Sequence, residues 1–155
     1  MNSKARGCQF RRRQKGSSMI EFALGAGVLL AVFSGTFQFG YTFYQYNNLS
    51  NAVNAGAHFA ALRPYDSATE SPSTAFSNAV KNMVVYGDPD GGTKPVVPGL
   101  TPSHVTLTVN FEKEVPAEVT VAINGFVINS VFAKIECNQK PKVTYAYQGV
   151  YAGGF

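Results

Sequence analysis

The residues with the clearest chemical meaning lie at one junction near the amino terminus of this 155-residue chain. A basic arm ends at Gly16, a pair of serines follows, and an apolar stretch then begins that contains one carboxylate, Glu21. A cut after Gly16 would make Ser17 a new amino terminus, with Glu21 as the fifth residue of the product. An amine and a carboxylate one helical turn apart can neutralise each other, within one subunit or between neighbours. We therefore expect processing at Gly16 and Ser17, and charge pairing during assembly at Glu21.

Residue patterns that would predict catalysis are missing from the sequence. His58 and His104 are far apart and neither has an obvious acidic partner, and the chain contains no nucleophile motif and no glycine-rich phosphate loop. The segment Asp88–Gly92 lacks the spacing of a calcium loop and predicts a turn. Of the two cysteines, Cys8 lies in the basic arm and Cys137 in a predicted strand, where we expect it to be half-buried. We therefore expect no enzyme, no cofactor, no metal site and no internal disulfide.

The element that must position the junction is a long apolar helix. From Phe22 to Leu62, a run of 41 residues, the chain has no Asp, Glu, Lys or Arg. Residues 22–46 would give a helix of about 37 Å, which is enough to cross a hydrocarbon core of about 30 Å. Apolar residues continue at helical spacing beyond this span, and Arg63-Pro64 should end the helix because the residue before a proline disfavours helical backbone angles.

These patterns divide the chain into four parts, and the first is expected to be disordered or extended. They are a basic leader that is cleaved (1–16), a transmembrane helix (17–46), a helical stem extension (47–63) and an extracytoplasmic α+β domain (64–155).

Small residues recur every four positions along the apolar helix, at Ala23, Gly27, Ala31 and Gly35. Such a stripe lets the backbone of another helix approach closely, so we assign these residues to helix packing. Membrane helices are rich in glycine and alanine in any case, and ordinary composition is the alternative explanation.

The charge distribution predicts how the chain is oriented. The first sixteen residues contain six lysines and arginines and no acid, whereas the remaining 139 residues contain 7 basic and 9 acidic side chains. A basic cluster beside an apolar span is a topology signal that stays in the cytoplasm, and we assign Arg11, Arg12, Arg13 and Lys15 to it. A basic arm can also bind nucleic acid, but the signal for topology is stronger and we expect no nucleic-acid partner.

The region after the long helix changes from helical to strand periodicity. Ser73 can cap a second helix that runs to about Tyr86, and a turn-rich stretch follows. Alternating residues then predict strands at 105–111 and 119–123, a hairpin turn at Asn124-Gly125, a strand over 126–135, and a last strand around 143–147. The predicted fold class is α+β: a long amino-terminal transmembrane and stem α-helix, a short helix, and a small antiparallel β-sheet.

The junction resembles the processing site of a known protein family. The string "GSSMIEFAL", with Glu at the fifth position after the glycine, resembles the class III signal peptide of type IV pilins and pseudopilins. Together with "NAVNAGAHFAALR", it resembles the TadE-like minor pseudopilins of the tight-adherence (Tad/Flp) pilus system over about residues 11–63. The resemblance implies that the α+β fold is pilin-like. It also implies a bacterial structural or assembly subunit for secretion or adhesion, cut after Gly16 by a membrane aspartyl prepilin peptidase.

The same resemblance implies the partners and the location. The partners would be the prepilin peptidase, other pilins or pseudopilins, inner-membrane platform proteins of the pilus, membrane lipid, and further copies in a homo-oligomer or filament. The protein would cross the inner membrane once, with its amino terminus cytoplasmic and its carboxyl-terminal domain periplasmic or extracellular, and could enter a surface filament.

Two alternatives remain open on the sequence alone. One is an uncleaved, single-pass periplasmic binding or scaffold protein, with Glu21 at the headgroup level. The other is cleavage by an ordinary signal peptidase at Ala55-Gly56-Ala57, which is disfavoured because the apolar core of such a peptide is 7–15 residues long and this one is far longer.

Overall fold

A computed structural model describes residues 14–129 and 134–151, and the chain divides into two compact units, 1–38 and 39–155. The predictions that concern Cys8 and the basic residues Arg11, Arg12 and Arg13 lie outside the described residues. The division between the units falls inside the predicted transmembrane segment 17–46. It does not locate a membrane boundary, so the predicted domain limits stay predictions.

The first unit contains the beginning of helix α1, which runs from Gln14 to Leu62. Its apolar side chains are exposed, as for Phe22 at 78% and Phe37 at 74%. Within the described residues, α1 is the one helix long and apolar enough to cross a membrane. The expectation that residues 1–16 are disordered or extended is wrong for residues 14–16, which are helical. Gln14 and Lys15 are good helix formers, so they extend the helix by most of a turn.

The second unit begins with the rest of α1, which ends immediately before Arg63-Pro64 as predicted. Helix α2 follows, from Thr74 to Tyr86. The Ser73 hydroxyl accepts a hydrogen bond from the Phe76 amide at 3.0 Å, which confirms the predicted cap. The helix ends at Gly87, whose left-handed backbone (φ 75°) lets its amide reach the Met83 carbonyl.

Three strands form the main antiparallel sheet, in the order β1-β2-β5. A 3₁₀ turn at Pro102–His104 leads into β1, Val105–Glu112, and β2 follows at Val115–Ile123. Strand β5, Lys142–Ala146, pairs with the other edge of β2, so the last strand of the chain lies beside the central one. Lys113 and Glu114 make the turn between β1 and β2, and both have positive φ angles (52° and 65°).

Two further strands, β3 (Phe126–Asn129) and β4 (Lys134–Cys137), pair only with each other within the described residues. The predicted hairpin at Asn124-Gly125 is therefore wrong, because β2 and β3 are not paired. Both edges of β2 are already occupied, by β1 and β5. The single strand predicted over 126–135 is instead two strands.

The core of the second unit lies where the end of α1, helix α2 and one face of the main sheet meet. Tyr65 is fully buried at its centre, and its ring makes edge contacts with Phe76 and Phe111. Gly56 on α1 lies so close to Val84 on α2 that a Cβ atom at this glycine would overlap the valine side chain. These elements confirm the predicted α+β, pilin-like class. The other large buried side chains are Leu49, Val53, Val80, Val85, Val97, Val109, Val119, Ile123 and Ile128.

Candidate functional site

The helical geometry brings the two polar residues of the junction together. Ser17 and Glu21 lie one turn apart on α1, and the serine hydroxyl donates to a carboxylate oxygen of Glu21 at 3.4 Å. This distance is at the long limit of a hydrogen bond, and both side chains are exposed, so the contact adds little stability. It does establish that groups attached at positions 17 and 21 can meet without any change of the helix.

Gly16 has open space around it. Apart from its chain neighbours and the nearby backbone of its own helix, no atom lies within 4 Å of the position that a Cβ would occupy, and the same is true of Gly25 further along the helix. Nothing in the described residues therefore requires a glycine at position 16. A requirement for glycine there would have to come from another protein that holds the backbone of this segment.

The small residues assigned to helix packing are all on the open part of α1. A Cβ at Gly27 or Gly35 would have no neighbour within 4 Å, and Ala23 and Ala31 are exposed. The four-residue spacing keeps them on one side of the helix with a slow drift. The stripe therefore contacts nothing within the described residues, and its packing role stays a prediction.

One polar side chain of the apolar segment is satisfied by the helix itself. The Thr36 hydroxyl donates to the Val32 carbonyl one turn earlier, at 3.0 Å. This intrahelical bond lets a threonine lie in an apolar medium without an unpaired hydroxyl.

Tyr147, which follows β5, forms hydrogen bonds with the residues just after α1, and the sequence did not predict them. The Tyr147 hydroxyl accepts from the Tyr65 amide at 2.8 Å, and it can donate to the carbonyl of Arg63 at 2.9 Å or of Val150 at 3.0 Å. Burial raises the pKa of Tyr147 and of Tyr65 above the ordinary value of 10.0. The alternation of the sequence assigns Tyr147 to the last predicted strand, but nothing local predicts what its hydroxyl contacts.

His58 and Cys137 both pack against other residues of the second unit. His58 makes an edge contact with Tyr145, whose hydroxyl donates to the Asn54 amide oxygen at 2.8 Å. Cys137 is 2% exposed and not half-buried as predicted, because it is paired with Phe126 on the core face of β3 and β4. Burial raises the pKa of its thiol, which is a free thiol in the structure.

The described residues contain no group of three or more His, Cys, Asp or Glu side chains that could hold a metal ion. They do form surface depressions on the second unit. One has a volume of about 700 Å³ and is lined by Glu70, Lys113 and Tyr151, among others. An apolar groove of about 450 Å³ lies beside Phe59, Leu62 and Met83.

Comparison with known proteins adds one match. Residues 16–58 match the model of a family described as TadE-like protein. No curated protein and no solved structure is significantly similar to the chain. The matched segment begins at Gly16 and includes Ser17, Glu21 and the small-residue stripe. It confirms the resemblance that the junction indicates, and supports a single-pass, membrane-anchored protein. Over most of its amino-terminal helix the chain is thus similar to the TadE-like proteins.

Proposed function

We propose that this protein is a minor pseudopilin, a structural and assembly subunit of the Tad pilus system with no enzymatic activity. The observation that carries the proposal is that the TadE-like match coincides with α1, whose large apolar side chains are exposed from Met19 to Phe43. An apolar helix surface of this kind is stable only in lipid or against other apolar helices. A pilin-like subunit uses both environments in turn, first as a membrane anchor and then in a filament for secretion or adhesion.

Prepilin peptidase is the proposed processing partner, and the cut follows Gly16. Support comes from the position of the match, which starts at this glycine, and from the Ser17–Glu21 contact. After the cut, the new amine lies at the residue whose side chain already reaches Glu21. The charge of Glu21 then has a partner in an apolar medium, where an isolated carboxylate at mid-bilayer would cost roughly 2.5–3.5 kcal/mol on insertion scales.

The proposed location is the bacterial inner membrane, with the amino terminus in the cytoplasm and the second unit outside. The basic arm of residues 1–16 supports this orientation, because lysines and arginines beside a span remain on the cytoplasmic side. The assembly partners would then be other pilins or pseudopilins and the membrane platform of the pilus.

The mature mass and the amino-terminal sequence of the protein test the proposal. Purification from its own membrane should give a 139-residue chain that begins at Ser17. Expression in a host that lacks a prepilin peptidase should give the full 155-residue chain, and co-expression of the peptidase should restore the shorter form. A full-length chain in the native membrane would reject the pseudopilin function.

One observation favours a second candidate, an uncleaved single-pass scaffold or binding protein. Helix α1 continues through Gly16 back to Gln14, so the predicted cleavage position is helical. Proteases bind extended backbone, and the first turn of α1 would have to unwind before cleavage. The mass measurement separates the two candidates, because the scaffold protein keeps residues 1–16.

A further inference from the structure

The outer face of the main sheet contains a small polar pit with a volume of about 120 Å³. Its floor is formed by Thr120 and Ala122 of the central strand β2. Thr106 and Thr108 of β1 form one wall. Asn124, Gln139 and Lys142 form the opposite rim.

The strand register explains why a pit forms at this place. Thr106, Ala122 and Lys142 lie in one row across the three strands, and Thr108, Thr120 and Thr144 lie in the next. Ala122 has the shortest side chain of its row and lies in the middle, so the longer side chains on both sides rise above it. Ala122 is only 7% exposed even though it does not face the core.

Most polar groups of the pit have no hydrogen-bond partner among the residues that the structure describes. The side chains of Thr106, Thr108, Asn124, Gln139 and Lys142 make no hydrogen bond or ion pair with any residue that the structure describes. Thr120 differs from them, since its hydroxyl is 2.8 Å from that of Thr144. Two hydroxyls, two amides and one ammonium group therefore converge on one concavity.

The charge and size of the pit restrict what it could bind. Lys142 is the single charged side chain in its lining, and no carboxylate accompanies it. The volume equals that of about four water molecules in the liquid, which suits part of one small ring and excludes a drug-sized ligand. Hydroxyls and amides both donate and accept hydrogen bonds, so they match the hydroxyl groups of a sugar, while the ammonium group matches an anion.

We propose that this pit binds the carboxylate-bearing ring of an acidic saccharide. The carboxylate would accept from the Lys142 ammonium group, and the ring hydroxyls would contact the threonines and the two amides. The proposal does not depend on whether the chain is cleaved after Gly16. It gives the second unit a binding activity in addition to the anchoring and assembly assigned to α1.

Binding of defined sugars to the full-length chain in lipid nanodiscs tests the proposal. The probes are glucuronate, glucose, which has the same ring without the carboxylate, and inorganic sulfate. Saturable binding of glucuronate should shift the threonine methyl resonances in NMR spectra, with glucose at least about tenfold weaker, because a charge-assisted hydrogen bond is lost. Absence of saturable glucuronate binding would overturn the proposal. Equal affinity for sulfate would overturn it too, since the pit would then hold only a plain oxyanion.

Two substitutions locate the binding, with a matched control for charge. Lys142→Met should remove the preference for glucuronate over glucose, and Ala122→Leu should fill the pit and remove binding of both sugars. Lys113→Met deletes a lysine from the turn between β1 and β2 and should leave the affinities unchanged. If Lys113→Met weakens the binding of glucuronate as much as Lys142→Met does, the electrostatic attraction is diffuse and the proposed site is wrong. Should Ala122→Leu fail to fold, Thr108→Val removes one exposed hydroxyl of the pit and should weaken the binding of both sugars.

Discussion

Gly16 and Gly25 form a matched pair of helical glycines, because both have open space where a Cβ would lie. We expect Gly16→Leu to block the change to the shorter mature mass, whereas Gly25→Leu should be processed like the parent chain. A peptidase that binds an extended segment tightly at Gly16 has no room for a leucine there, while the chain itself tolerates either change. The measurement is the intact mass of each protein after co-expression with prepilin peptidase. Normal processing of Gly16→Leu would contradict the proposed cleavage position.

Glu21 should matter for assembly and not for insertion. Glu21→Leu removes a charge from an apolar helix, so it should insert at least as well as the parent, and Gly16 remains available for cleavage. Docking against partner helices should fail, because a carboxylate that pairs with an amine in lipid is lost. Glu21→Gln retains the size and hydrogen bonding and separates the charge from the shape. Crosslinking to other pilus subunits, together with the mature mass, measures both steps. Assembly of processed Glu21→Leu at parental levels would show that the carboxylate is only tolerated there.

Tyr147 should stabilise the second unit more than its neighbour Tyr145 does. Tyr147→Phe removes the hydroxyl that accepts from the Tyr65 amide and can donate to the Arg63 carbonyl, and we expect a loss of about 1–2 kcal/mol in unfolding free energy. The Tyr65 amide keeps its bond to the Val150 carbonyl at 3.0 Å, so it is not left without an acceptor. Tyr145→Phe removes an exposed contact with Asn54 and should cost less than about 1 kcal/mol. Urea unfolding of the full-length variants in detergent gives both values. Equal losses of unfolding free energy in the two variants would mean that the hydrogen bonds of the Tyr147 hydroxyl stabilise the unit no more than that of Tyr145.

Alkaline pH should also destabilise this region. Tyr65 and Tyr147 have pKa values above 10.0 in the folded chain because burial disfavours the tyrosinate. The folded state therefore retains protons that the unfolded state loses, and stability falls as the pH rises from about 10 through the folded pKa values. Unfolding free energies measured from pH 8 to 11 should decline at the alkaline end, and less steeply in Tyr147→Phe. If the unfolding free energy declines with the same slope in both proteins, ionisation of Tyr147 does not contribute to the loss of stability.

At the scale of elements, the contact between α1 and α2 depends on the absence of one side chain. Gly56→Ala gains up to about 1 kcal/mol of helix propensity, but its methyl group would overlap Val84, and overpacking costs about 1–3 kcal/mol. We expect a net loss of stability, and partial recovery in the Gly56→Ala/Val84→Ala double variant. Gly40→Ala, which has open space around it, should not destabilise the chain. Thermal unfolding compares the four proteins. A Gly56→Ala protein as stable as the parent would mean that the helices can separate at no cost.

The elements whose signals are local were predicted correctly. The cap at Ser73, the end of α1 before Pro64 and the alternation of β1 depend on neighbouring residues only. The Asn124-Gly125 prediction failed because pairing is decided across the sheet, where β5 takes the edge of β2 that a hairpin would need. The turn at Lys113-Glu114 was missed because neither residue is typical of positive φ angles.

At the scale of the whole molecule, the basic arm predicts which side of the membrane each part occupies. Protease added to spheroplasts should digest the region after residue 63 and leave a protected fragment that contains the span, because six basic residues hold the amino terminus inside. A cytoplasmic marker enzyme must remain intact in the same sample. Protection of the carboxyl-terminal region would reject this topology.

The two candidate sites differ in how far the sequence could reveal them. Gly16, Ser17 and Glu21 lie within six consecutive residues, so their spacing on a helix follows from the sequence. The polar pit needs Thr106, Ala122 and Lys142 in one row of three strands, and that register depends on contacts between distant parts of the chain. No local pattern marks these residues, since threonines on an exposed strand face are common.

The position of β5 has a consequence for the order in which the chain folds. The strand that completes the main sheet, Lys142–Ala146, is the last in chain order among the strands that the structure describes, and Tyr147, whose hydroxyl bonds the end of α1, follows it directly. The central strand β2 keeps a bare edge until then, and a bare edge invites incorrect pairing. The main sheet therefore cannot be completed before residue 146 has been synthesised.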